Sequence, residues 1–90
     1  MEQKDYPLDP AERLDFVWDW AKVLENGDTI ADSEFTSSVG ITLELPTMTQ
    51  TSTRIWLKDA QPGLQRVTNK ITTAQGRIFK RSLTIRVGDN

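Results

Sequence analysis

Apolar residues recur at every second position in several short runs of this chain, and turn-forming residues separate the runs. The clearest case is the C-terminal third. Val67-Thr68-Asn69-Lys70-Ile71-Thr72-Thr73 and Ser82-Leu83-Thr84-Ile85-Arg86-Val87 flank a turn at Gly76. Both runs are rich in β-branched residues, whose stiff side chains suit a pleated strand. The pattern predicts an antiparallel hairpin with one oily face, which needs a second sheet to cover it in water.

Earlier in the chain, Leu14, Phe16, Trp18 and Trp20 alternate with Asp15, Val17, Asp19 and Ala21, placing four large apolar side chains on one face of a strand. A helix start competes here, with Asp9 as N-cap, Pro10 at the first helical position and Glu12 at the third. Leu14, Val17, Trp18, Ala21 and Leu24 also fit a helical stripe ending near Gly27. Three aromatics at strict alternation favour a strand through Trp20, followed by one helical turn over residues 21–25. Asn26-Gly27-Asp28 reads as a turn, and Thr29-Ile30-Ala31 followed by residues 33–37 around Phe35 reads as an interrupted strand. Gly40 marks a bend. Val39, Ile41, Leu43 and Leu45 share a parity, giving a third strand that Pro46 should end because it lacks a ladder donor. Residues 47–53 read as a polar crossing, Arg54-Ile55-Trp56-Leu57-Lys58 as a fourth strand, and 59–63 as a turn containing Pro62 and Gly63. Residues 1–12 are polar, carry two prolines and show no period, so they read as an extended arm before one domain at 13–90. The expected architecture is all-β: an antiparallel, two-layer, immunoglobulin-like sandwich of about six or seven strands with at most one short helical turn.

Composition then limits the chemistry. Ninety residues support a single core. Cysteine and histidine are both absent, which removes disulfides, thiolate metal sites and the usual general base. The serines and threonines have no histidine to activate them, so no catalytic residue, cofactor or metal site is assigned. Asp5, Asp9, Glu12, Asp15 and Asp19 lack the spacing of a calcium loop, and strand positions four apart lie about 13 Å from each other, so they read as a solvated acidic face. No apolar run approaches the roughly 20 residues that span a bilayer, and the first twelve residues lack the apolar stretch of a signal peptide. The expectation is a soluble protein made in a cytoplasm, with no membrane partner.

Charge adds a polarity that the net value of -2 conceals. Residues 1–45 hold 11 acidic and 3 basic side chains, whereas residues 46–90 hold 2 and 8. The split is either settled inside the domain or used between molecules, as a head-to-tail contact or a basic face shown to an acidic partner. Arg66, Thr68, Lys70 and Thr72 fall on the outward parity of one hairpin strand, and Lys80, Ser82, Thr84 and Arg86 on that of the other. Nucleic-acid binding is the alternative that this cationic face keeps open. Against it stand a pI near 5.0, no aromatics interleaved with the cations and no recognisable motif. Trp18 and Trp20 would suit a host-glycan module, but they share parity with Leu14 and Phe16, which assigns them to the core. Trp56 has the opposite parity from Ile55 and Leu57 and faces out with Arg54 and Lys58, as a contact anchor does.

Several segments together resemble a known family. They are Asp9-Pro10-Ala11-Glu12-Arg13-Leu14-Asp15-Phe16 with Asp19-Trp20, then Gly27-Asp28-Thr29-Ile30-Ala31-Asp32-Ser33, residues 53–57, residues 67–73, Gly76-Arg77 and residues 81–87. In this order they are similar, over almost the whole chain, to the small phage proteins called fiber-tail adaptors. Two departures are visible. Gln65 stands where relatives tend to carry a tyrosine two residues before the hairpin valine, and Asp59-Ala60-Gln61-Pro62-Gly63 replaces a run of glycines. The resemblance implies an immunoglobulin-type sandwich that is a structural part of the virion, without enzymatic activity. It implies partners among portal, adaptor, tail or fiber proteins. Several copies in a ring are the expected arrangement. The residues assigned to such contacts are Tyr6, Pro7 and Leu8 in the arm, Trp56, and Arg66, Lys70, Lys80 and Arg86 on the hairpin.

Overall fold

Seven strands make two facing sheets in the computed structural model, which describes residues 5–88, with side chains from residue 7 onward. The strands are β1 (Asp5–Leu8), β2 (Leu14–Asp19), β3 (Ile30–Ser37), β4 (Thr42–Met48), β5 (Ser52–Lys58), β6 (Gly63–Thr73) and β7 (Ile78–Val87). One sheet has the order β1-β7-β6-β3 and the other β2-β5-β4. Every pairing is antiparallel except β1 with β7. Taking β2 to β7 as strands B to G, the sheets are the BED and CFG of an immunoglobulin sandwich, with β1 added beside the last strand.

Parity sets what lies between the sheets. Leu8, Ile41, Ile55, Leu57, Ala60, Val67, Ile85 and Val87 form the main core, with Leu14, Phe16, Trp18 and Phe35 packed against it. Trp20, Ile30 and Ile71 form a second cluster with Val23, Leu24 and Phe79. Trp18 meets Phe35 edge-on, with centroids 5.5 Å apart. The strand reading of residues 14–20 is therefore the observed one.

The helix signal at Asp9 is real but short. The Glu12 carboxylate accepts the Asp9 backbone N–H at 2.8 Å, and Asp9 Oδ1 accepts the Ala11 N–H at 2.8 Å. This reciprocal cap closes a single turn before β2. After β2, the N–H groups of Val23 and Leu24 both reach the Trp20 carbonyl, giving one turn as expected, and no helix occurs among the described residues.

Three expectations need correction. First, β4 does not stop at Pro46 but runs through it to Met48, with a register shift between Glu44 and Thr47. Because β4 is an edge strand, Pro46 is tolerated at the bulge. The bulge turns Leu45 outward, and Val39, in the turn before β4, is exposed as well. Second, residues 47–53 are not a crossing but the end of β4 and the start of β5 joined by a tight turn at 49–51, in which Thr49 Oγ1 accepts the N–H groups of Thr51 and Ser52. Third, residues 5–8 of the expected arm form β1, while Met1 to Lys4 lie outside the described residues. The interruption expected near Ala31 is a bulge within β3.

Gln65 of β6 fills the corner ahead of Val67. Its Oε1 accepts the Ser38 hydroxyl at 2.9 Å and its Nε2 donates to the Gln61 carbonyl at 3.1 Å. Gly40 makes room for it. A Cβ there would lie 2.3 Å from Gln65 Nε2, an amide already fixed by two bonds.

Candidate functional site

The outward face of the four-stranded sheet carries the predicted cations. Register places Lys70 directly opposite Lys80, with Glu34 on the other side of Lys70. Arg66 lies opposite Thr84, and Leu64 opposite Arg86, next to Pro7 of β1. Between these cations runs a row of small hydroxyls, Thr36, Thr68 and Ser82, with Thr68 and Ser82 bonded at 2.8 Å. Arg66, Lys70, Lys80 and Arg86 are all exposed. Two like charges directly opposite on a sheet weaken the pairing, so the Lys70–Lys80 juxtaposition is a cost that the fold alone does not explain.

The opposite, outward face of the three-stranded sheet is organised around Trp56. β5 places Trp56 between Asp15 of β2 and Glu44 of β4, while Ile55 and Leu57 point into the core. The Arg13 guanidinium covers the indole, 4.5 Å from its centroid, and donates to Glu44 at 2.9 Å. Lys58 reaches the other Glu44 oxygen at 3.2 Å, and Arg54 pairs with Asp15 at 3.3 Å. Hydrogen bonds from Arg13 and then Lys58 hold the Glu44 carboxyl below its ordinary range. Trp56 is half-buried and held in a fixed orientation by charges whose partners are already in place.

Of the residues read from sequence, the structure brings Arg66, Lys70, Lys80 and Arg86 onto one face and places Trp56 on the other. Pro7 is exposed, and the side chain of Tyr6 lies outside those described. Leu8 is a correction: it is only 3% exposed and belongs to the core, because β1 pairs Leu8 with Val87 and turns its side chain inward. Sequence reasoning missed Arg13, Glu44 and Asp15 as the setting of Trp56. No local signal names them, since the contacts arise from cross-strand register between residues 12 to 43 positions apart. Trp20 is buried in the core, and Trp18 packs against it partly buried. No group of three or more acidic side chains that could hold a metal ion occurs among the described residues.

The two decorated faces belong to a small two-sheet sandwich of immunoglobulin type. Residues 8–86 match the sequence model of the family described as Podophage GP4 fiber-tail adaptor protein gp77. The chain belongs to this phage fiber-tail adaptor family, and that membership makes it a structural component of the virion. No curated protein matches the chain.

Proposed function

We propose that the protein, made in the host cytoplasm, joins tail-associated virion proteins, a fiber among them, by non-covalent contact through both sheet faces, without catalysis and in several copies. The observation that carries this reading is the unlike character of the two faces. One offers cations on a flat hydroxyl-rich sheet, suited to an acidic protein surface. The other offers a tryptophan and arginines at its centre, the residue types that anchor protein interfaces. Pro7, with Tyr6 before it, adjoins the cationic face and extends it. Exposed ion pairs are weak singly and screened by salt, so the basic contact acts together with neighbouring surfaces in the particle.

The test is charge reversal at Lys70 and Arg86. The variant should fold normally by circular dichroism and be lost from purified particles, as quantified by mass spectrometry. Incorporation at normal copy number would remove the basic face from the interface. The same face fits phosphates chemically. Strong, salt-sensitive retention of the purified protein on DNA would replace the acidic protein partner by nucleic acid.

A further inference from the structure

The two long edges of the sandwich are unlike and complementary. At one edge β3 and β4 are the outermost strands, and neither contains a lysine or arginine. Here the β4 bulge holds Leu45 at a φ of 49° and leaves Leu45 and Met48 exposed, with Pro46 between them. A leucine in the left-handed region is a backbone outlier of the kind found at functional positions. Met48 stands between two shallow concavities, one shared with Val17 and Arg54, the other with Asp32 and Pro46. Asp32 supplies negative charge beside it, and Glu34 follows two positions on in β3.

At the other edge β2 faces the first half of β7, which has no acidic residue. A groove of about 280 Å³ opens there between the sheets, with Phe16, Val17 and Trp18 on one wall and Arg81, Ser82 and Leu83 on the other. Arg81 leans over Trp20 at 5.4 Å, and Lys80 lies next to it. None of the ion pairs among the described residues involves Asp32, Glu34, Lys80 or Arg81.

We infer that these edges are the two halves of one contact between copies of this chain. The bulge at 45–48 of one copy seats Met48 in the groove of the next, and Asp32 and Glu34 meet Arg81 and Lys80. Methionine suits the role because its unbranched thioether fills irregular apolar clefts. The occupant is a second copy because the apolar projection with acids and the apolar groove with cations lie on the same chain at opposite edges. Such a contact is heterologous, so each terminal copy keeps one unused half and copies add until the array closes into a ring. The inference rests on the proposed assembly of several copies and locates the surfaces that do it.

The chain has no cysteine, which allows a clean cross-linking test. A double variant, Met48→Cys with Arg81→Cys, should give a ladder of disulfide-linked copies when particles are oxidised, whereas each single variant should give dimers at most. Normal incorporation without a ladder overturns the contact and leaves the virion role standing. Absence of the wild-type protein from particles would sink the role itself. In solution, Met48→Lys and Arg81→Glu change exposed positions, one in each half. Each should weaken self-association of the full chain at least tenfold in sedimentation velocity. An equimolar mixture of the two should give dimers and nothing larger, since one intact half remains on each partner. Unchanged association of either variant, or a mixture without dimers, overturns the proposal.

Discussion

At the residue scale, the most consequential side chain inside the sandwich is a polar one. Asn69 of β6 is fully buried, and its Oδ1 accepts the Trp20 indole N–H at 3.1 Å and the Thr53 hydroxyl. Its amide group donates to the Ser33 hydroxyl at 2.9 Å and the Glu34 carbonyl at 3.1 Å. One side chain thus ties β3, β5, β6 and the end of β2 together, and a buried network of this kind is favourable only when every member is bonded. Asn69→Ala strands the groups it served and should cost about 1–3 kcal/mol in urea unfolding. Trp20→Ala removes a buried ring and should cost about 3–5 kcal/mol. Alternation alone shows that Asn69 points inward. It does not show why an amide is tolerated there, because its four partners come from segments 16 to 49 residues away.

Asp28 gives a second residue-scale expectation, with a defined sign. Burial by itself would raise its carboxyl pKa. Hydrogen bonds from the Thr73 hydroxyl and the Gln75 and Thr29 N–H groups, with the Arg77 guanidinium, outweigh this and hold it below the ordinary value of 3.8. A carboxyl depressed in the folded state contributes stability that is fully present above the unfolded pKa and lost as pH falls through the folded one. Asp28→Asn should therefore be less stable than wild type at neutral pH. The difference should shrink as pH falls below the ordinary carboxylate value, where the unfolded chain takes up a proton that the folded Asp28 still excludes. Urea midpoints for both proteins between pH 2 and 7 check this, and a gap that stays constant would mean the charge of Asp28 is irrelevant.

At the scale of elements, β1 and β4 show where reading the sequence stops. The hairpin of β6 and β7 is legible because alternation and a Gly76 at φ 90° act locally. β1 has four residues, two of them flanking its proline on either side, and only its parallel pairing with Thr84–Val87 makes it a strand. Leu8→Ala should accordingly cost about 2–5 kcal/mol, where a residue of an undocked arm would be neutral. In β4, proline rules give the right local restriction and the wrong outcome, since an edge strand needs no donor on its free side. The strain at Leu45 can be measured directly. Leu45→Gly frees the left-handed backbone from its Cβ penalty at a half-exposed position and should leave stability unchanged or raise it by up to about 1 kcal/mol. That gain would appear as a melting temperature up to about 4–8 °C higher for a domain of this size. A loss of several kcal/mol would show that the Leu45 side chain is packed rather than displayed.

At the scale of the whole molecule, the charge split of the sequence resolves into geometry. Part of the acidic first half is settled internally, Asp15 by Arg54 and Glu44 by Arg13 and Lys58, all on the face around Trp56. Half of the basic residues of the second half, Arg66, Lys70, Lys80 and Arg86, are displayed on the opposite sheet, where Lys70 and Lys80 lie side by side. A sequence evolved only for folding would separate them, and the two roles make opposite demands on the same position. Lys80→Glu turns the row Glu34–Lys70–Lys80 into alternating charges and should stabilise the isolated protein by about 0.2–1 kcal/mol. It also removes a cation from the proposed contact, so incorporation into particles should fall. Thermal unfolding of the purified variant, set beside its copy number in purified particles, separates the two readings. Higher stability with lower incorporation marks Lys80 as a residue kept for its partner at the expense of the fold, whereas lower stability with unchanged incorporation would make it a structural residue and remove it from the interface.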